Sequence, residues 1–352
     1  MSTTPRGRQF FLRDAGRLPA FAVWRVAAAA TLALFAALAG ATAALAQSDP
    51  AQAYPAKSVR IVVPFSAGGA PDVIGRVIAQ GLSELTGQSF VVENRPGADG
   101  MVGAQAVAQA TPDGYTLLVT SSSFAINPSF HKSLPFNVLT DFEPVSNIAA
   151  IEAYILGVNP GLSARTVAEL VALTRDSAAK ISFGSPGVGN SIHLVTELFK
   201  TLTKTQMVHV PYRGAGQALT GLIAGDVQVM FLTPPSSLAY VEGGQVRGLA
   251  YTGAQRFARL PNLPTMAEAG VPGMEDMSSW TGMFAPAKTP PGVLARLHQH
   301  VAKVITTPAT RERLIQIGVI PVGNGPAEFK PFVAAQVSKI AAIVKAAGIE
   351  PQ

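Results

Sequence analysis

The sequence predicts an α/β protein made of two halves, each built on a sheet with parallel strands. Three observations predict it. The run Val59 to Val63 passes through Pro64 and a Gly68-Gly69 loop into Pro71-Asp72, which reads as buried strand, turn and helix start. Two further strand-like runs with helical patterns between them complete a βαβαβ unit. A second strand, glycine loop and helix start stands at Ile181 to Leu194, in the other half of the chain.

The first junction contains neither GxGxxG nor the Lys-Ser/Thr of a Walker loop, so a nucleotide phosphate is poorly supported. Taken alone it is either an ordinary βα turn or an anion site made of free helix amides, with Asp72 suited to the positive end of the helix dipole. Ile74 to Leu85 has helical spacing and Gly87 stops it. Phe90 to Asn94 is the second strand, Val102 to Ala110 a short helix and Tyr115 to Thr120 the third strand. Ligands of such sheets sit beyond the carboxyl ends of the strands. Ser121 to Asn127 lies there and either hydrogen-bonds a ligand or caps the next helix.

The apolar run Ile148 to Val158 is expected to cross into the second half. Thr166 opens a helix to about Ser177, with Glu169 as the N3 residue of a capping box. Gly184 to Leu194 follows a strand and ends in a helix N-terminus. Two facing N-termini of this kind would grip an anion between two lobes. His193, in the first turn of that helix, either donates to a ligand carboxylate or packs. Val208 to Pro211 and Val227 to Leu232 are strands, with a helix from Gln217 to Ala224 between them. Their exit loops hold Tyr212, Arg213, Gly214 and Thr233; Arg213 either pairs with a carboxylate or is solvated.

Val246 to Tyr251 is a further strand, and Leu260 to Gly270 a proline-rich turn with a short helix. Ser278 to Pro286 returns to the first half. Helices starting at Pro290-Pro291, Pro308 and Pro326 cover its sheet. The expected division is residues 1–46 as leader, 47–150 plus 278–352 as the first lobe, and 151–277 as the second.

The leader is read from five arginines (Arg6, Arg8, Arg13, Arg17, Arg25), an Ala/Leu-rich segment from Val26 to Leu45, and Ala44-Leu45-Ala46. This is the pattern of a secretory signal peptide cleaved near Ala46; a permanent membrane anchor is the alternative. Arg8 follows Gly7, so a twin arginine is missing, and no Cys follows the cleavage site. Without the leader, 22 basic and 20 acidic residues remain, a net charge of about +2, with no basic cluster interleaved with aromatics. Nucleic acid is therefore not an expected partner. The absence of cysteine excludes disulfides and thiolate metal sites. None of the five histidines stands in a zinc-motif spacing, and no cofactor or metal is expected. A secreted hydrolase would need Ser185 with His193, with no acid evident to orient the histidine.

Tyr54-Pro55, Val63-Pro64-Phe65 with Gly68-Gly69 and Asp72, Val92 to Gly97, Pro112 to Tyr115, Asn127-Pro128, Asp141-Phe142, Gly184 to Gly187, Val210 to Tyr212 and Leu263 to Thr265 follow one another in a specific order and spacing. In these motifs, across residues 54 to 350, the chain resembles the Bug-type extracytoplasmic solute receptors of tripartite tricarboxylate transporters. The resemblance implies a type II periplasmic binding protein fold, two α/β lobes with a ligand cleft between them, and no enzymatic activity. It implies a small carboxylate (mono-, di- or tricarboxylate) held by main-chain amides and waters. The partner would be the membrane permease subunits of such a transporter, or a sensor kinase, and the receptor would act as a monomer in the periplasm. Carried over, the ligand-binding residues are Phe65, Ser66, Ala67, Gly68, Gly69 and Asp72, with Ser121, Ser122, Ser123, Ala125 and Asn127 from the first lobe. The second lobe contributes Ser185, Gly187, Gly189, Asn190, His193, Tyr212, Arg213, Gly214 and Thr233. Where many relatives carry a polar residue, often Asp, near the end of the Phe231 strand, this chain has Leu232-Thr233-Pro234, and the absence of an acid there disfavours an amino-bearing ligand. Many also carry a Trp in the last helix, near Ile340 here, a difference of packing.

Overall fold

The computed structural model describes Met1 and residues 54–175, 180–275 and 277–346. The cleavage site expected near Ala46, and the leader beyond Met1, lie outside them. Among the described residues no helix is long and apolar enough to cross a membrane.

β1 (Val59–Val63) is buried at four of its five positions, as a strand covered on both faces must be. α1 (Ala70–Thr86) carries it to β2 (Phe90–Asn94), and α2 (Met101–Ala108) leads on to β3 (Thr116–Ser121). β1 pairs in parallel with both β2 and β3. α1 starts with a proline in its first turn and stops at Gly87, whose φ of 71° suits glycine. The βαβαβ unit is as expected.

α3 (Ser123–Phe130) leads to β4 (Phe142–Ile151), which stays in the first sheet. β5 (Ile155–Val158) belongs to the second. The expected crossing at Ile148 to Val158 is therefore two strand ends joined by residues 152–154. Apolar runs of this length suit a covered strand as well as a crossing, and only pairing decides.

The second sheet continues with α4 (Val167–Arg175), β6 (Ser182–Ser185), α5 (Ser191–Thr203), β7 (Val208–Pro211), α6 (Ala215–Ala224), β8 (Val229–Leu232), α7 (Pro234–Glu242) and β9 (Arg247–Tyr251). Its order is β7-β6-β8-β5-β9. β6 runs parallel to β7 and β8, whereas β5 is antiparallel to β8 and β9. β10 (Ser279–Pro286) returns to the first sheet between β3 and β4, antiparallel to both. Then come α8 (Pro291–Thr306), α9 (Pro308–Gln316), β11 (Ile320–Asn324) and α10 (Pro326–Ala346). The first sheet is ordered β11-β4-β10-β3-β1-β2. Both sheets are thus mixed, because each takes in strands that cross from or return to the other.

Three local expectations change. From sequence, Thr233 to Ser237 is the exit loop of β8, yet α7 begins within it, since prolines at its first two positions remove only amides that lack helical partners. β11 was missed because Pro321 and Gly323 obscure it; it is an edge strand, where proline is tolerated. Leu260 to Gly270 holds one α-turn, not a helix. Thr265 and Glu268 exchange side-chain-to-backbone hydrogen bonds of 2.8 and 3.1 Å, and Gly270 at φ 89° ends the turn at once.

Each sheet has its own core. An aromatic cluster fills the first, with Phe124 edge-on to Phe142 at 5.0 Å and Trp280 edge-on to Phe329 at 5.5 Å. The second is aliphatic around Phe183, Phe199 and Phe231. The two chain crossings are tied where they meet. The Tyr154 amide donates to Thr252 Oγ1, and the Thr252 amide donates to the Tyr154 carbonyl, both at 2.9 Å.

Candidate functional site

The carboxyl ends of β1, β3, β6, β7 and β8 each lead directly into a helix N-terminus. The first amides of a helix have no partner within it, and the helix dipole adds partial positive charge there. Residues from the start of four helices line one cleft: Gly69 and Pro71 of α1, Asn190 and Ser191 of α5, Ala215 of α6 and Thr233 before α7. No Asp, Glu, Lys or Arg is among its described lining residues.

The loop after β1 is held from behind. The Gly68 amide donates to Asp72 Oδ2 at 2.9 Å. Asp72 Oδ1 accepts from Arg76 at 3.0 Å and from Asn94 at 2.9 Å, and Asn94 also reaches the Phe65 carbonyl at 3.1 Å. Burial pushes the Asp72 carboxyl up. The Arg76, Gly68 and Asn94 hydrogen bonds and the Arg76 charge outweigh this and hold it below its usual value. Asp72 is therefore ionised and occupied as a brace, and it does not line the cleft.

Opposite stands the start of α6. A Cβ on Gly214 would collide with Ser66, and one on Gly216 with the Ala67 carbonyl. The loops from the two sheets touch backbone to backbone, and the free space in the cleft is only about 30 Å³, close to one water molecule. Ser66 Oγ is buried at this contact without a partner.

A second contact across the cleft joins α3 to α5. Asn190 caps α5, its Oδ1 accepting from the Ile192 amide at 2.9 Å. Its Nδ2 donates to Ser123 Oγ at 2.7 Å, and Ser121 Oγ donates to the same oxygen at 3.2 Å. Ser122 meets Ser279 at 2.8 Å. Asn127 reaches the Asp99 carbonyl at 3.2 Å, and Ala125 is enclosed in the aromatic core.

The loop after β6 is held by neutral groups. Ser185 Oγ lies 2.6 Å from His209 Nε2 and donates to the Gly187 carbonyl at 2.9 Å. The Gly189 amide donates to His193 Nδ1 at 3.2 Å. The two imidazoles stack at 4.1 Å, and the His209 ring stacks on Phe183 at 4.8 Å. Burial, with the Lys200 charge second, lowers the His193 pKa to about 4. Burial and then His193 lower that of His209 to about 4. Both rings are neutral at pH 7.

Of the residues expected from sequence, the cleft brings together Phe65, Gly69, Ser121, Asn190 and Thr233. Ser66, Ala67, Gly68 and Gly214 form the closing contact at its mouth. Ser122, Ser123, Ala125, Asn127, Ser185, Gly187, Gly189 and His193 stand behind it as supports. The Tyr212 ring packs on Gly184 and Gly221, and Arg213 is exposed. The pairing imagined for a hydrolase is not formed: Ser185 meets His209, and it is fully buried. Ala70, Pro71, Pro186, Ser191 and Ile192 in the lining fall within the stretches Phe65 to Asp72 and Ser185 to His193 that the sequence offers, whereas sequence reasoning missed Ile151, Ala215 and Ser279. Ala215 follows a glycine-loop end and was legible in principle, whereas Ser279 arrives only through the return of β10. A larger open groove of about 880 Å³ lies on the second sheet's side near Arg165, Arg247 and Arg259, beside the start of α4 and sharing no lining residue with the cleft.

Residues 74–349 match the family described as the tripartite tricarboxylate transporter family receptor. Three solved structures are similar along their whole length. That of the periplasmic binding protein BugD is 32% identical, with a TM-score of 0.81, covering 85% of this chain and 100% of that one. Rpa4515 of R. palustris, solved with adipate, is 36% identical with a TM-score of 0.81, covering 85% and 100%. MatC of Rhodopseudomonas palustris, with bound malate, is 27% identical with a TM-score of 0.76, covering 83% and 100%.

Proposed function

The chain belongs to the tripartite tricarboxylate transporter receptor family, a family of solute-binding receptors with a two-lobed fold and not of enzymes. From that premise we propose that it captures a small carboxylate in the cleft between its sheets and presents it to a membrane permease. The observation that carries this is the convergence of helix N-termini on a cleft whose described lining lacks charged side chains. Backbone amides and helix dipoles neutralise an anion without burying a cationic side chain and incurring its desolvation cost. An amino-bearing ligand would need a carboxylate in the cleft, and Asp72 is already bound to Gly68, Arg76 and Asn94. The adipate and malate of two relatives belong to the same chemical class.

In this reading the lobes are 47–150 plus 278–352 and 151–277, the leader is removed near Ala46, and the mature chain works in the periplasm. The Tyr154–Thr252 tie marks the hinge. With room for about one water, the cleft opens about that hinge to admit its ligand, and the two lobes close on the ligand without restoring the full contact at Ser66 and Gly214. Native mass spectrometry of the protein purified from a periplasmic fraction tests the proposal. The expected result is one small carboxylic acid per chain, released on unfolding. A bound neutral sugar or an organic cation in its place would overturn it.

A further inference from the structure

Asp99 stands where the first half of the chain touches the loop after β6, and it is absent from the cleft lining. It belongs to a 3₁₀ turn, Ala98–Gly100, that packs on α2 and α3. Ala98 (φ 44°) and Asp99 (φ 50°) both take the left-handed conformation, which residues with a Cβ seldom adopt. The Asn127 side chain holds the turn, donating to the Asp99 carbonyl at 3.2 Å. So fixed, the Asp99 carboxyl faces Gly187, where a Cβ would meet Oδ1 at 3.2 Å. Both carboxyl oxygens are buried.

No cation answers this carboxyl among the described residues. α2 and α3 contain no titratable residue, and His131, just beyond α3, is held neutral by burial. α5 carries His193, whose Nδ1 accepts from the Gly189 amide, and Glu197 and Lys200, which pair with each other. Behind the loop after β1, Asp72 is bound to Arg76, and Arg95 is paired with Glu93. Amides of the facing loop are engaged as well, Gly187 with Ser185 Oγ and Ile192 with Asn190 Oδ1. Burial therefore raises the Asp99 carboxyl well above its ordinary range, and only the Asn190 side chain opposes it. A carboxyl buried without a cation is favoured in its neutral form, because desolvation penalises the ion. With the lobes apart, water replaces the Gly187 side of its surroundings, and the carboxyl ionises as an ordinary aspartate does.

We propose that Asp99 is a proton latch: closing the lobes on a ligand takes up one proton from the medium at its carboxylate, so acid favours the closed receptor and alkali favours release. This rests on the lobe closure in the reading above and adds its control by pH. His193 faces Phe130 across the same boundary and works in the opposite direction, since burial favours its neutral ring. An exposed histidine is already mostly neutral above about pH 6.5, so the latch is read from pH 7 upward.

Isothermal titration in buffers of different ionisation enthalpy counts the protons taken up per ligand bound. The probes are acetate, succinate, adipate and tricarballylate, at pH 7 and pH 8, with the wild type and with Asp99→Asn, which keeps the shape of the side chain. With an acid that binds, the wild type should take up about 0.5–1 proton more than Asp99→Asn at pH 7. Its affinity should fall about 3-fold or more from pH 7 to pH 8, while that of Asp99→Asn stays within about 2-fold. Equal proton counts in the two proteins, or a wild-type affinity that does not fall over this range, overturns the latch and leaves the carboxylate receptor standing. Folded wild-type protein that binds none of the four acids overturns both.

Discussion

The loops after β1 and β6 do the same job by opposite means. Each carries a strand into a helix N-terminus at the cleft. The first is held by an ionised carboxylate, Asp72, which ties together Gly68, Arg76 and Asn94. The second is held by uncharged groups, Ser185 on His209 and Gly189 on His193. Either scheme satisfies the loop's polar groups from behind and leaves the helix amides facing forward. The difference lies in what acid does to each. A brace of ionised carboxylate survives until it is protonated, whereas a brace of neutral imidazole fails when the ring takes up a proton.

The largest effect should come from breaking the place where the two lobes meet. Gly214→Val puts a side chain against Ser66 and prevents the loops from touching. Carboxylate affinity should fall by about 100-fold or more, on the order of 3 kcal/mol, with little change in melting temperature, since both loops are intact in the open form. Titration calorimetry beside a thermal melt checks both halves of that statement.

Removing the ionic brace should come next. Asp72→Ala strands the Gly68 amide and the Asn94 amide group, and should cost about 2 kcal/mol of stability by denaturant unfolding. Ser185→Ala, which removes the corresponding support in the second loop, loses bonds between neutral groups instead of bonds to an ionised carboxylate and should cost about 1 kcal/mol.

The pH dependence sharpens the contrast. His193 and His209 are held near 4 in the folded chain against about 6.5 when unfolded. Between these values the unfolded chain binds more protons, so stability declines as pH falls from about 6.5 toward about 4. Asp72 is shifted below its ordinary value, so its contribution is lost only at still lower pH. The melting temperature should therefore drop between pH 7 and pH 5, and His209→Phe should flatten that drop while Asp72→Asn leaves it in place.

An effect of opposite sign belongs to Asp99. Its carboxylate oxygens are buried against the second lobe's loop, near Gly187. Burial raises its pKa well above the usual value, with an Asn190 hydrogen bond only partly opposing. A raised carboxyl favours folding at low pH and loses that contribution as pH rises. Asp99→Asn should therefore stabilise the protein at pH 7.5 by about 1 kcal/mol. Asn also tolerates the φ of 50° found there.

How much of this was legible in the sequence follows the same division. The β1 loop, its helix and its acid lie within some twenty residues, and turn chemistry and helix capping identified them. The β6 loop is legible too, but its support is not. Ser185 meets His209 because β6 and β7 pair in parallel register, with Phe183 opposite His209. No local pattern encodes that pairing. Ser279 reaches the cleft by a returning strand, which no local pattern around it encodes. Arg213 reads from sequence either as a carboxylate partner or as a solvated cation; it is exposed, and the dipoles of several helices stand at the cleft instead.

The central claim is that helix N-termini, without a charged side chain in the described lining, hold a carboxylate. Isothermal titration of the mature chain with pairs of carboxylic acids and their neutral amides tests it most directly. The acid of at least one pair should bind, with its amide weaker by about 100-fold or more. Amides that bind as well as their acids, or a folded protein that binds neither, would contradict it.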